Sequence, residues 1–229
     1  MPALQRAGVA TVAIYSLFAD SASHSSKHRG RLPLMPSHKR HSNLARRATQ
    51  YARLLGIGVN YARERGLRLQ REANPRGLIC VGRAADDGRR VRLSARAAAA
   101  WFRMRDAAAR DGITLLPLSG YRSRQRQAQN IRRKLNAGES LADILRLVAA
   151  PGYSEHHTGR AIDIGSPQDV GLDEKFGRTA AFRWLRRHAG RFGFHLSFPR
   201  GNRAGFGYEP WHWCWRSVSL PDRARARAR

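Results

Sequence analysis

The sequence predicts an α+β fold, in which amphipathic helices alternate with short strands along one chain. Residues 113–118 and 160–164 are short apolar runs typical of strands, whereas residues 94–112 place apolar side chains on one stripe of a helix. Hydrophobic residues make up 42% of the 229 residues, which is enough for a proper core. We therefore expect one folded domain with an extension.

The predicted elements follow one another from residue 44 to residue 215. The predicted strands are Leu78–Val81, Ile113–Leu118, Arg160–Ile164, Phe192–Leu196 and the stretch around Trp211–Trp215. The predicted helices are a basic one over Leu44–Leu55, one capped by Ser94, one capped by Ser123, one in a capping box that begins at Ser140, and one over Thr179–Ala189.

Three regions are predicted: a basic, partly disordered extension over residues 1–75, a folded domain over 76–220, and an Arg-rich tail over 221–229. Residues 21–63 contain no acidic residue, so at least residues 21–42 are expected to form a flexible arm. The apolar run 7–18 is a weak secretory-signal pattern, too short to span a membrane as a helix. An upstream start codon or a disordered leader explains it equally well.

The net charge indicates an anionic partner. Lys and Arg number 43 against 16 Asp and Glu, which gives +27. Nucleic acid, acidic lipid and an acidic cell-wall polymer all fit, as does a GC-rich genome that favours Arg codons. Cys80 and Cys214 exclude a four-sulfur metal site and a Cys-x-x-Cys motif, and leave open a disulfide or two buried thiols.

Two short segments carry the chemistry. The first, residues 154–163, contains His156 and Asp163, and the second, residues 208–212, contains Glu209 and His212. Two imidazoles and one carboxylate are the minimum protein ligands of a hydrolytic zinc site, and a further carboxylate can accept a proton from water.

The spacing of these residues requires turns. His156 and Asp163 lie seven residues apart, so on one continuous strand they would face opposite sides. A bend at Thr158 and Gly159 would turn both side chains to the same side, because Gly adopts backbone angles closed to other residues. Pro210 likewise places Glu209 in a loop that enters a strand. His195 is a lesser ligand candidate, better explained as a core or rim residue.

These residues closely resemble the VanY-type D-alanyl-D-alanine carboxypeptidases, which belong to the zinc peptidase group that includes lysostaphin-type enzymes and the hedgehog fold. The shared motifs are Ser-x-His-x-x-Gly-x-Ala-x-Asp at 154–163, Glu-Pro-Trp-His at 209–212, and Ser-Gly-Tyr-Arg-Ser at 119–123 with Gln127. The resemblance covers roughly residues 90 to 216. Two departures are His157, where the family often has Gln, and Trp-Cys-Trp at 213–215.

The resemblance implies a small, mainly antiparallel central sheet flanked by helices. It implies one zinc ion per chain and a D,D-carboxypeptidase that removes the terminal D-Ala from peptidoglycan stem peptides. The implied roles are zinc ligation by His156, Asp163 and His212, general base catalysis by Glu209, stabilisation of the scissile carbonyl or its oxyanion by Arg122, and binding of the terminal carboxylate by Gln127 and Ser154.

Three alternatives stay open at this point. They are a peptidoglycan endopeptidase or phage-type lysin with the same site, a catalytically silent hedgehog-like module, and an Arg-rich nucleic-acid-binding protein, although no nucleic-acid-binding motif is present. We expect a monomer in the cell envelope, the periplasm or the medium, or in the cytoplasm for a lysin. The basic arm is expected to bind anionic envelope polymers. Absence of His-Glu-x-x-His and Ser-x-x-Lys argues against other peptidase classes.

Overall fold

The computed structural model describes residues 37–217, with side chains from residue 43 onward. The predicted signal segment, most of the predicted flexible arm, and the Arg-rich tail lie outside this range. Among residues 37–217, every helix is either too short or too polar to cross a lipid bilayer.

Six helices and six strands form the described part of the chain. The helices are α1 Ser37–Leu54, α2 Tyr61–Glu64, α3 Ala95–Arg110, α4 Arg124–Asn136, α5 Leu141–Leu147 and α6 Ala180–His188. The strands are β1 Leu78–Arg83, β2 Arg90–Ser94, β3 Leu116–Ser119, β4 Ala161–Gly165, β5 Phe194–Leu196 and β6 His212–Trp215. Short 3-10 helices lie at Pro75–Gly77, Glu155–Thr158, Glu174–Arg178 and Ala189–Phe192.

The strands form two antiparallel sheets. β1 and β2 form a hairpin, and the second sheet has the order β3, β4, β6, β5 with every neighbouring pair antiparallel. The predicted α+β class and antiparallel sheet are confirmed. The two strands that carry the motif residues, β4 and β6, lie in the middle of the second sheet, where both edges of each strand are hydrogen-bonded.

The main hydrophobic core lies between the sheets and the helices α3 and α6. It contains Trp101 and Met104 from α3, Ile162 and Ile164 from β4, and Trp213 from β6, all buried. Trp213 therefore packs on the core side of the strand that carries His212. The β4 strand is buried along its whole length, as its apolar sequence indicates.

A second core joins the N-terminal residues to the helices α4 and α5. Leu55, Ile57 and Tyr61 pack with Ile131 and Ile144. Residues 37–75, which the sequence assigned to an extension, therefore belong to the same compact unit as the motif residues. Residues 37–42 of the predicted flexible arm are helical. The packing of α1 on the domain is hard to predict from the sequence, because α1 is largely basic and has few apolar residues on its inner face.

Local signals set most element boundaries. The hydroxyl of Ser123 accepts a hydrogen bond from the backbone N–H of Arg126, and the hydroxyl of Ser140 accepts one from Asp143, so both predicted caps are present. Ser94 precedes α3 but makes no side-chain cap bond. The strand predicted from Ile113 begins only at Leu116.

Both cysteines are free, with Cys80 exposed on β1 and Cys214 buried on β6. The disulfide that the sequence left open is not formed. The second interpretation, two buried thiols, is confirmed for Cys214 and is wrong for Cys80, which lies exposed on the two-stranded sheet.

Gly159 provides the predicted bend, and it does so with a left-handed backbone conformation at φ +66°. A Cβ there would lie 3.0 Å from the Leu78 side chain and 3.0 Å from the Ser94 backbone nitrogen. The carbonyl of Gly159 also accepts a hydrogen bond from that nitrogen at 2.8 Å. The turn is therefore fixed against the start of α3.

Gly159→Ala is expected to lower the free energy of unfolding by about 3 kcal/mol, from backbone strain plus overpacking. The matched control is Gly138→Ala, because Gly138 also has positive φ (+86°) but nothing lies within 4 Å of the position that an added Cβ would take. The control should lose only about 1 kcal/mol. Urea unfolding of both variants measures the difference, and equal losses would contradict the packing argument.

Candidate metal and catalytic site

The register of the sheet brings two of the predicted ligands together. Asp163 on β4 lies directly opposite His212 on β6, and Ser119 at the end of β3 lies opposite Asp163 on the other side. Facing residues on neighbouring strands hold their side chains about 5 Å apart. The three strands therefore deliver a carboxylate, an imidazole and the start of the 119–123 loop to one place.

His156 reaches the same place from the 3-10 helix at Glu155–Thr158. Its Nδ1 lies 2.7 Å from the carbonyl oxygen of Gly120, so Nδ1–H donates to that carbonyl and Nε2 is left as the free lone pair. Nε2 lies 3.3 Å from Oδ2 of Asp163. The backbone of the 119–123 loop thus selects the tautomer of the histidine.

His212 presents its other nitrogen to the cluster. Nδ1 lies 3.0 Å from Oδ1 of Asp163, while Nε2 lies 3.0 Å from Oε2 of Glu155. The rings of His156 and His212 are 4.9 Å apart and nearly perpendicular. One ligand atom from each of the three residues lies within 4.8 Å of the other two, and all three residues are buried. The predicted ligand set therefore converges into a cluster that could hold a metal ion.

Glu209 lies beside this cluster without belonging to it. Its Oε2 is 3.8 Å from Nδ1 of His212, and its backbone N–H donates to the carbonyl of Phe198 at 3.0 Å. The loop position predicted from Pro210 is correct, because β6 begins only at His212. No hydrogen bond to the Glu209 carboxylate is present among the described residues, so its oxygens are available to a water molecule.

Glu155 is a site residue that the sequence argument missed. Its carboxylate accepts a hydrogen bond from the Ser197 hydroxyl at 2.6 Å and lies against Nε2 of His212. A carboxylate on the far nitrogen of a ligating histidine fixes the ring and raises its basicity. The position of Glu155 next to His156 is the signal that could have indicated it.

Arg122 lies across the cluster from Glu209. Its Nη2 is 4.0 Å from Oδ2 of Asp163, and its backbone N–H donates to the carbonyl of His156 at 3.2 Å. The guanidinium donates no hydrogen bond to the described residues, so its N–H groups are available to a bound molecule. Arg122 lies three residues after the end of β3 at Ser119.

Gln127 and Ser154, the predicted carboxylate-binding pair, both line the pocket and are both buried. Nε2 of Gln127 donates to the carbonyl of Ala149 at 2.6 Å, and its Oε1 has no partner among the described residues. The amide nitrogen carries a second hydrogen that remains free. His195, in contrast, is exposed on β5 and takes no part in the cluster.

These residues surround one cavity of about 260 Å³, which we call the catalytic pocket. Apolar walls come from Phe198, Phe206 and Trp211. The Phe198 ring lies 4.9 Å from the ring of His212 and covers it. Besides the two histidines, the charged residues of the lining are one Arg, one Lys and five carboxylates: Arg122, Lys134, Glu139, Asp143, Glu155, Asp163 and Glu209.

Burial and neighbouring charges shift the pKa values within the pocket. Burial raises the pKa of Glu209 to about 7, with His212 opposing the shift. Burial alone would also raise the pKa of Asp163, but His156 and His212 hold it far below its usual range. Burial lowers the pKa of His156. Burial would lower the pKa of His212, but hydrogen bonds to Asp163 and Glu155 raise it to about 10.

Similarity to known proteins covers the same part of the chain. A family model described as D-alanyl-D-alanine carboxypeptidase, VanY, matches residues 90–218, and this range contains every residue of the cluster. The chain belongs to the VanY family. The three motifs that indicated this family in the sequence all fall within the matched range.

Curated VanY relatives align over about half of this chain. YodJ of Bacillus subtilis strain 168 is 40% identical over 113 residues, covering 48% of this chain and 41% of YodJ. A D-alanyl-D-alanine carboxypeptidase of Enterococcus faecalis is 31% identical over 118 residues, covering 47% of this chain and 42% of that protein. This chain therefore spans about two fifths of the length of these relatives.

Solved structures show the same fold. The LD-carboxypeptidase LdcB superposes with a TM-score of 0.56 at 32% identity, covering 62% of this chain and 69% of LdcB. The D,D-dipeptidase VanXYg, in complex with a D-Ala-D-Ala phosphinate analogue, superposes with a TM-score of 0.53 at 27% identity, covering 64% of this chain and 58% of VanXYg.

His157, the first departure from the family pattern, connects two loops through hydrogen bonds. Its Nδ1 donates to the carbonyl of Arg122 at 2.6 Å, and its Nε2 accepts from the backbone N–H of Gly152 at 3.0 Å. A neutral imidazole makes both bonds, and so does a Gln amide, which explains why either residue suits the position. Burial lowers the pKa of His157 to about 4.

We predict a pH-dependent contribution of His157 to stability. The unfolded chain binds its proton near pH 6.5 and the folded chain only near pH 4, so stability falls as the pH drops through this window. His157→Gln should remove this loss, about 3 kcal/mol at pH 4. Urea unfolding of both metal-free proteins from pH 7 to pH 4 measures it. Parallel pH profiles for the two proteins would show that His157 does not titrate in this way.

Proposed function

We propose that this protein is a zinc-dependent D,D-carboxypeptidase that removes C-terminal D-Ala from peptidoglycan stem peptides. The observation that carries the proposal is the convergence of three buried residues that could hold a metal with a separate carboxylate, Glu209, that accepts no hydrogen bond from the described residues. The VanY family and relatives that are D-alanyl-D-alanine carboxypeptidases support the substrate class.

The donor set fits zinc. Two imidazole nitrogens and one carboxylate oxygen are typical of a catalytic zinc site that keeps a position open for water or substrate. Nδ1 of His212 lies 3.0 Å from Oδ1 of Asp163, and Nε2 of His156 lies 3.3 Å from Oδ2, near the roughly 3.3 Å between ligands of a tetrahedral zinc ion. One ligand atom from each of the three residues lies within 4.8 Å of the others. When bound, zinc supplies Lewis acidity that polarises the scissile carbonyl and acidifies water.

The protein side chains supply the remaining steps. Glu209 accepts the proton of the attacking water and later donates it to the leaving amine of D-Ala. Burial raises the pKa of Glu209, and the charge of a bound zinc ion would lower it again, which favours the carboxylate form that accepts the proton. Arg122 offers its unoccupied N–H groups to the oxygen on which negative charge develops. Gln127 and Ser154 bind the terminal carboxylate of the substrate.

The arrangement also argues against a purely structural zinc site. A closed structural site takes four protein ligands, whereas only three residues of the described chain converge here. A buried Glu209 carboxylate that accepts no hydrogen bond destabilises the fold, and a structural site would not need it. The hedgehog-like binding module is therefore the weaker interpretation.

The proposal predicts a defined peptide specificity. Zinc-loaded protein should release D-Ala from an acetylated peptide ending in D-Ala-D-Ala, and should cut the C-terminal amide of the same peptide at least tenfold more slowly, because partners of the carboxylate stay unsatisfied. Glu209→Gln is the matched control: it should retain zinc and lose at least a hundredfold in kcat. D-Ala release by chromatography and zinc content by mass spectrometry are the measurements.

The outcomes separate the alternatives. Hydrolysis confined to cross-linked muropeptides, with no effect of the terminal carboxylate, would assign an endopeptidase. Zinc binding without hydrolysis of any peptide would favour the binding module. Wild-type turnover in Glu209→Gln would show that another group is the base.

Glu155 is expected to position His212 for zinc. Glu155→Ala removes the acceptor of the Nε2 proton, so zinc affinity should fall by about 10- to 100-fold. Glu155→Gln keeps an uncharged acceptor and should lose less. Glu139→Ala is the control, since Glu139 lines the same pocket but pairs with Lys134 instead. Competition with a chromophoric chelator measures affinity, and an unchanged value in Glu155→Ala would refute the role.

A further inference from the structure

A second groove adjoins the catalytic pocket and carries the opposite charge balance. It has a volume of about 330 Å³ and shares four wall residues with the catalytic pocket: Arg122, Lys134, Val148 and Leu172. We call it the cationic groove. Six cationic residues and one carboxylate line it: Arg89, Arg90, Arg122, Arg126, Arg133, Lys134 and Asp86.

The two walls of the cationic groove are built differently. One wall is a face of α4, where Arg126, Asn130 and Arg133 recur at helical spacing. The opposite wall is the end of the β1–β2 hairpin, which carries Arg89 and Arg90. Two separate elements therefore place positive charge in the cationic groove, which adjoins the catalytic pocket.

Three of these cations are not neutralised by protein carboxylates. Arg89 pairs with Asp87 and Lys134 pairs with Glu139. Arg90, Arg126 and Arg133 form no ion pair with any carboxylate in the described part of the chain, and all three are exposed. Exposed cations are common in a chain of net charge +27. These three differ from the others because they line a groove that continues into the active site.

We propose that the cationic groove binds carboxylates carried by the peptide substrate on the N-terminal side of the cleaved bond. The inference rests on the proposed carboxypeptidase function. A carboxypeptidase holds only one residue beyond the scissile bond, so the rest of the peptide must leave the catalytic pocket along a neighbouring surface. Five carboxylates and two Lys or Arg side chains line the catalytic pocket, whereas one carboxylate and six Lys or Arg side chains line the groove, so the groove is the more favourable of the two for an additional acidic group.

The test compares two acetylated pentapeptides that end in D-Ala-D-Ala and differ only at the second residue, which is D-glutamate in one and D-glutamine in the other. The wild-type enzyme should favour the acidic peptide in kcat/KM. Arg126→Gln combined with Arg133→Gln should lower kcat/KM for the acidic peptide roughly fivefold, mainly through KM, and leave the amide peptide within twofold. High salt should reduce the preference of the wild type.

The matched control is Arg132→Gln combined with Arg187→Gln. It removes the same charge from two exposed residues that line neither the groove nor the catalytic pocket. This variant should keep the wild-type preference. An unchanged preference in the groove variant, or an equal loss for both peptides, would overturn the inference.

Binding measured without catalysis separates this inference from the proposed function. Fluorescence anisotropy with labelled forms of the two peptides should show the same acidic preference and the same loss in the groove variant. If neither peptide is hydrolysed but the preference in binding persists, the proposed function fails and the groove assignment stands. If the groove variant loses only affinity for a DNA oligonucleotide, the groove serves a polyanion and the inference is wrong.

Discussion

The pairing of Asp163 with His212 across β4 and β6 is the constraint on which the site depends. Side chains of a strand alternate between faces, so a slip of one residue would turn Asp163 into the core and bring Ile162 or Ile164 to the ligand position. The register resists this slip because the apolar residues of β4 and β6 are buried in the main core. Hydrophobic packing behind the sheet therefore sets the geometry of the polar groups in front.

Burying these polar groups together destabilises the folded state unless each charge is paired or hydrogen-bonded. Asp163, His156, His212 and Glu209 are all buried, and a buried charge must be paired or coordinated. Asp163 is compensated by two imidazoles, and His212 by two carboxylates. Glu209 accepts no hydrogen bond from the described residues, and its contact with His212 at 3.8 Å does not outweigh its burial, so its pKa is raised. The same lack of a hydrogen bond leaves the carboxylate free to exchange a proton with water.

The sequence predicted those parts of the site that lie within short motifs, and it missed those that depend on contacts between distant segments. The bend at Gly159 and the loop at Glu209 follow from local backbone rules, so both were predictable. The contact between Glu155 and His212 joins residues 57 positions apart, and Ser197 completes it from a third segment. The packing of Tyr61 in the second core was missed for the same reason.

Net charge alone gives a poor account of this protein, because its positive charge is not spread evenly. A chain of +27 encloses a catalytic pocket whose lining contains five carboxylates and only two Lys or Arg side chains. This excess of carboxylates disfavours the approach of a free terminal carboxylate. A divalent cation at His156, Asp163 and His212 would offset most of the excess, next to the Arg122 guanidinium. Metal binding would therefore also favour the approach of an anionic substrate, in addition to its part in the chemistry.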